Sequence, residues 1–424
     1  MGFAETDITP GKPAVMVGFN RADNMSRGIL DCLTAQVSVW EGNGICCLVT
    51  IDNIGFTKEE ADLLRGRIAE ITGTSREKVM LAFSHTHAAV DTGAEKEYYA
   101  MLCRKIYRAA EEAKARMCEV SVGWDNAEAD IGSNRRASSD RIDRRVGILK
   151  ICSAGGDDVL LIILRLTAHP NVLKRDNYLI SADYFGTVRR VFGEKYHCPV
   201  MIVQGSAGNI APKYYKASFT PIDARGEAYI NFDTALESMA QEVLKKAGPV
   251  LDAITTDSDA DVCAYSKFMS LQSKVPDMAE AHRIAEEALK HSGMDGQKWL
   301  AEIERLHGRG ICVQEERLEI QYFRIGDWCL CGIPNETMTE FALETQRLLD
   351  SPFFYFNGYT NGCTSYFPTK EEYDLGGYEV YWAMLLYFAD YGRVYPYRCE
   401  AIDSVISCAV ENYIRGRCTN DEKY

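Results

Sequence analysis

Apolar positions follow two rhythms that alternate through the first half of the chain. Residues 35–40, 45–51 and 79–83 are apolar consecutively or at every second position, which predicts buried strands. Residues 57–72 and 95–114 repeat theirs at three- and four-residue intervals, which predicts helices. Thr57 stands where a hydroxyl can cap the first of these, with Glu59 and Glu60 in its opening turn. From 119 to 130 the pattern becomes a two-residue alternation, and further strands are predicted at 147–152 and 159–166. A helix over 181–192 leads into a strand at 200–203, which ends in the small-residue loop Gln204-Gly205-Ser206-Ala207-Gly208-Asn209. This strand–helix–strand order predicts an α/β fold of mixed β-sheets layered between helices. Residues 276–306, rich in Glu, Ala, Lys and Leu at helical spacing, predict a helical excursion, either a solvated surface pair or a lid. With no evident repeat or linker, residues 1–424 are expected to form one domain.

Composition narrows the class. Hydrophobic residues at 46% and charged ones at 25% are ordinary for a globular protein with a sizeable core. A net charge of -14 argues against nucleic acid or an anionic membrane as a partner. The fifteen cysteines are odd in number, include no Cys-x-x-Cys, and fall partly inside apolar runs such as Cys46-Cys47 and Cys329-Leu330-Cys331. That pattern predicts buried, reduced thiols and a cytoplasmic protein. The start shows no basic segment followed by an apolar core, and the apolar run 159–164 is too short to cross a bilayer. The expectation is a soluble bacterial-type enzyme with a small-molecule substrate and no stable membrane association. Homo-oligomerisation stays open.

Candidate chemistry begins at Ser84-His85-Thr86-His87, directly after an apolar run. In an extended chain the two imidazoles would project to one face where a strand meets a loop. That suits a divalent metal, zinc above all, though two structural histidines would look the same. A third histidine closes another strand in Ala168-His169-Pro170, where Pro170 biases it toward extended backbone. Pro334-Asn335-Glu336 is a turn delivering a carboxylate after a strand. Tyr366 and Tyr378 lie twelve residues apart in a later block, and Ser133-Asn134-Arg135-Arg136 is a polar stretch. An amidohydrolase-type barrel also starts from His-x-His, but it needs further metal-binding histidines. Of the four left, His197, His282, His291 and His307, the last three fall in helical sequence.

Taken together and in order, these pieces resemble the catalytic domain of the neutral (alkaline, non-lysosomal) ceramidase family. The opening Ala4-Glu5-Thr6-Asp7-Ile8-Thr9-Pro10 is similar to the family's start, Ser84-His85-Thr86-His87 to its His-x-His segment, and Ala168-His169-Pro170 through Ser181-Ala182-Asp183 to its second histidine block. Residues 204–212 resemble its small-residue loop, Pro334-Asn335-Glu336 its Pro-Gly-Glu turn, and Tyr366 to Tyr378 its spaced tyrosines. The resemblance implies a zinc ion held by His85, His169, Glu336 and Tyr366. It implies that His87, Arg135 and Tyr378 surround the reacting carbonyl, His87 passing protons and the other two stabilising the oxyanion. It implies a substrate loop through Gly208, Asn209 and Ala211.

The match departs from the family at that loop. Where family members carry serine after an acid, this chain has Ala211 after Asn209, so no hydroxyl is present there as nucleophile or substrate contact. No room is expected for the family's C-terminal β-sandwich, since the chain ends within about fifty residues of the tyrosine block. The resulting expectation is a zinc-dependent hydrolase of an amide, ester or lactone in a small soluble substrate rather than ceramide. The alternatives are a metal-dependent isomerase or lyase acting on a polar carbohydrate-like metabolite, and an inactive binding protein.

Overall fold

Three strand-helix-strand units, each entered through an antiparallel hairpin, build the frame on which the candidate histidines and Glu336 hang. In the computed structural model, which describes residues 1–136, 139–213 and 232–421 and side chains to Gly416, each unit belongs to its own four-stranded sheet. The first runs Thr34–Gly42, Gly44–Ile51, helix Lys58–Thr72, then Val79–Phe83 parallel to Gly44–Ile51. The second runs Arg145–Ser153, Val159–Leu166, helix Tyr184–Tyr196, then Val200–Gln204 parallel to Val159–Leu166. The third runs Val313–Ile325, Trp328–Gly332, helix Thr339–Leu349, then Phe354–Asn357 parallel to Trp328–Gly332. Parallel pairing needs a crossover, and each helix is that crossover. One further antiparallel strand completes each sheet: Gly2–Asp7, Val120–Glu128 and Val262–Lys274 respectively. This threefold recurrence of topology is invisible in the sequence, which shows no repeat.

The strands are apolar on both faces because both faces are covered. In Val159–Leu166, Leu161 and Ile163 join a central core shared by all three sheets, with Leu48, Met80, Met201, Phe323 and Leu330. Their neighbours Ile162, Leu164 and Leu166 face outward into a core closed by helices, with Leu64, Ile68, Ile106, Phe185 and Val243. The expected layering of mixed sheets between helices is what forms. The third sheet's outer face is covered by helices Thr339–Leu349 and Ala401–Asp421, through Phe341, Ile402 and Val405.

Local signals place the first crossover helix well. Thr57 accepts the Glu60 N–H, the Glu60 side chain returns the bond, and Gly73 ends the helix in left-handed geometry. The second begins later than 181. Ser181 and Ala182 donate to Asp31, residues 179–180 pair with 28–29, and Asp183 becomes the cap. The excursion is a helix pair, Met278–Ser292 and Gln297–Gly308, packed against Leu385, Val394 and Tyr395. Among the described residues no helix is long and apolar enough to cross a membrane.

Two buried ion-pair systems tie the units together. Arg65 of the first crossover helix makes a bidentate pair with Glu319 of the third sheet at 2.7 and 2.8 Å. Asp143 holds both Arg145 and Arg165, and Arg165 reaches on to Asn357 and the Phe356 carbonyl. Arg165 thereby locks the second sheet to the end of the third.

Candidate metal centre

The carboxyl ends of the three parallel strand pairs converge, and the candidate histidines and Glu336 lie just beyond them, where ligand sites of α/β sheets form. His85 and His87 follow Val79–Phe83, His169 follows Val159–Leu166, and Glu336 follows Trp328–Gly332. Tyr359 and Tyr366 come from the segment after Phe354–Asn357. Glu336 and Tyr366 are register partners in a short parallel ladder.

The backbone at His85 is not extended. Its φ is +65°, a left-handed conformation uncommon outside glycine. The His-x-His pair therefore meets through a kink rather than along one strand face, with ring centroids 5.1 Å apart and nearly perpendicular. His169 closes the triangle at 4.7 Å from His85 and 5.0 Å from His87. One ring nitrogen from each of the three lies within 4.8 Å of the others. His85 and His169 are fully buried.

Backbone carbonyls fix the tautomers. Nδ1–H of His85 donates to Ile54 at 2.6 Å, that of His87 to Gly18 at 2.9 Å, and that of His169 to Ala207 at 3.2 Å. In the neutral rings every Nε2 is then an acceptor. Yet His87 Nε2 and His169 Nε2 stand 3.0 Å apart, and Glu336 Oε2 is 3.1 Å from His85 Nε2 and 3.8 Å from His169 Nε2. That oxygen is buried and has no hydrogen-bond partner among the described residues. Four acceptors facing one another repel unless a proton or a metal cation lies among them. Burial, reinforced by neighbouring charges, pushes His87 and His169 well below the usual imidazole range, which disfavours the proton. Imidazoles that give their second N–H to backbone carbonyls are the usual metal-binding arrangement. This buried histidine group can hold a metal ion.

Glycines let the backbone close around the centre. Gly18 has φ +94°, and a Cβ there would lie 2.6 Å from His87 Cβ. A Cβ at Gly208 would lie 2.6 Å from the Glu336 carbonyl, and its N–H donates to Thr337 at 2.8 Å. Gly208→Ala is expected to cost about 1–3 kcal/mol by overpacking and to displace Glu336. Gly66, in a helix with open space beside it, should gain about 1 kcal/mol from the same change. Urea unfolding of the two variants checks the contrast.

Arg135 lies beside this centre. Its N–H donates to the Asn209 carbonyl, and its guanidinium reaches Tyr366 Oη at 3.3 Å and Glu379 at 3.0 Å. Burial works against its charge, but the accepting oxygen of Tyr366 and the Glu379 carboxylate outweigh that and hold it firmly cationic. The ring of Tyr378 is 5.9 Å from that of Tyr366. Burial and the Glu336 charge push both phenols up, so both are neutral donors in the protein alone.

The residues of the loop expected to meet substrate face different partners. Ala211 is half-buried opposite Ser133 in a short ladder. Asn209 is committed elsewhere: its side chain donates to Glu340 and accepts from Thr339 N–H, fastening the loop to the third crossover helix. Arg136 is engaged by Glu372 and Lys213 by Asp130.

Three residues at the centre carry no motif. Tyr387 donates to Glu336 Oε1. Cys363 Sγ lies 4.0 Å from His85 Nδ1. Tyr359 packs 4.4 Å from the His85 ring with φ +54°, its buried hydroxyl unpartnered among the described residues. A positive φ at a bulky residue is the kind of strain that gathers at functional sites.

No family model matches this sequence, and no curated protein does. Solved structures do match in fold. Neutral ceramidase from Pseudomonas aeruginosa superposes with a TM-score of 0.70 at 18% identity, over 96% of this chain and 73% of that one. A ceramidase complexed with C2 gives 0.69 at 18% identity, over 96% and 74%. The α/β architecture described above is thus that of the neutral ceramidase catalytic domain.

Proposed function

We propose, from that fold and the acceptor cluster at its centre, that the protein is a zinc-dependent hydrolase. It would cleave the amide, ester or lactone carbonyl of a small soluble substrate. The observation that carries this is the convergence of three imidazole nitrogens with a buried carboxylate oxygen that has no hydrogen-bond partner among the described residues. His85, His169 and Glu336 would hold the ion with Tyr366, two nitrogens and anionic oxygens being a familiar catalytic set for zinc. When bound, the ion would supply Lewis-acid polarisation of the carbonyl and activation of water.

The chain's own groups do the rest. Arg135, fixed by Glu379 and the Asn209 carbonyl, presents positive charge where oxygen becomes negative. Tyr378, kept protonated by burial, is a donor to the same oxygen. His87 keeps a free lone pair at Nε2, since its Nδ1 proton is held by Gly18, and can take a proton there or serve as a further ligand. Its place within the cluster makes it more closely associated with the ligands than the sequence implies. Ala211 removes any acyl-serine route at that position, which favours a substrate other than ceramide.

A screen of N-acyl amino acids, short acyl esters and lactones against long-chain ceramide tests this. Turnover of a small substrate should vanish on chelation and return with zinc. Faster cleavage of long-chain ceramide would overturn the substrate class. Metal-dependent conversion without uptake of water would favour the isomerase or lyase alternative, which needs the same centre.

A further inference from the structure

We infer that Tyr387 is a positioning residue that orients Glu336 as a one-oxygen ligand, a role that rests on the metal reading above. Tyr387 lies in the helix Met384–Tyr391, fifty-one positions beyond Glu336, and its hydroxyl donates to Glu336 Oε1. The other oxygen, Oε2, points toward His85 and His169 with no hydrogen bond of its own. The division of labour is complete: one oxygen is tethered, and the other is left for the ion.

The tether matters because the terminal torsion of a glutamate is broad and nearly two-fold. Untethered, either oxygen or both could face the nitrogens, and the carboxylate would sample one- and two-oxygen modes. The Tyr387 hydroxyl is itself located by Cys363, whose Sγ is 3.7 Å away. Cys363 is hemmed in on its other side by Gly55, where an added Cβ would come within 2.4 Å of Cys363 Cβ. The small thiol at 363 leaves space for the phenol to reach Glu336. The helix bearing Tyr387 is in turn buttressed by the excursion, since Leu385 and Phe388 pack with Ala285, Trp299 and Ile303. The excursion thereby acts as a brace for a residue at the centre.

Tyr387→Phe removes the hydroxyl and keeps the ring. Tyr391→Phe, from the same helix, removes a hydroxyl that donates to the Phe56 carbonyl at 3.1 Å and serves as control. Zinc affinity of the full chain, by competition with a chromophoric chelator, should fall about 10–100-fold in Tyr387→Phe, as when an outer partner of a ligand is lost. It should stay at the native value in Tyr391→Phe. The visible spectrum of the cobalt-loaded protein should change only in Tyr387→Phe, because carboxylate mode alters the coordination of the ion. Unchanged affinity and spectrum in Tyr387→Phe would overturn the assignment, as would equal weakening in both variants. Failure of the native chain to bind zinc or cobalt at all would instead remove the metal reading, and the role of Tyr387 with it.

Discussion

Alanine at His169 should strip the proposed centre of any ion it holds. Native protein should purify with about one zinc per chain, and His85→Ala, His169→Ala or their combination should fall to background by elemental analysis, because each removes a nitrogen from the proposed four-donor site. Added zinc at a hundredfold over its Kd should stabilise the native fold by about 2.7 kcal/mol, and the variants not at all. The fold itself should survive the substitution. His169 contributes to a hydrogen bond and ring contacts, whereas the three sheets are held by their shared core. Undiminished zinc in the double variant would refute the ligand assignment.

The largest stability effect is expected at Asp143. It accepts from Arg145 at 2.8 and 2.9 Å and from Arg165 at 2.6 Å, all three side chains being nearly or wholly buried. Asp143→Ala would leave two guanidinium groups in the interior without their counter-charge, at a cost of about 3–5 kcal/mol. Burial works to raise the Asp143 pKa, but Arg165 and Arg145 outweigh it and hold it well below the usual carboxylate range. A depressed folded-state pKa means that the stability it contributes is present above the unfolded carboxylate value and is lost as pH falls through the folded one. The gap between native and variant in urea unfolding should therefore be full at neutral pH and narrow in strong acid. A gap below about 1 kcal/mol at neutral pH would place this network with weak surface pairs instead. Because Arg165 also holds Asn357 and the Phe356 carbonyl, the variant should loosen the strand end that leads to Tyr359.

How much of this could be read from the chain depended on distance along it. The helix at 57–72 and the strand at 79–83 follow from neighbouring residues alone: a capping threonine, a glutamate three positions on, a solid apolar run. The start of the second crossover helix did not, because Asp31, a hundred and fifty residues away, claims Ser181 and Ala182. Strand Val262–Lys274 has no clear signal in the sequence for a related reason. Much of it is only half-buried and polar, and it is defined by pairing with Val313–Ile325 across the whole helical excursion. The three-unit topology likewise lives in the pairing of strands and leaves no repeat of residues.

The centre was legible where chemistry is concentrated in rare residues. Seven histidines in the chain made His85, His87 and His169 conspicuous, and strand ends carried them to one place. Twenty-three tyrosines made Tyr359 and Tyr387 inconspicuous, and neither belongs to a recognisable segment. Nor does anything local foretell the left-handed backbone at His85, which is imposed by its bonds to Asn53 and Ile54 on the neighbouring strand end. Asn209 is a different case. Its place in the loop suggested substrate, yet its amide is spent on Glu340 and Thr339.

The central claim is tested most directly by a crystal of the zinc-loaded protein measured on both sides of the zinc absorption edge. One anomalous peak within bonding distance of His85 Nε2, His169 Nε2 and Glu336 Oε2 is the expected result. A peak elsewhere in the molecule, or an empty triangle in zinc-saturated crystals, would contradict it.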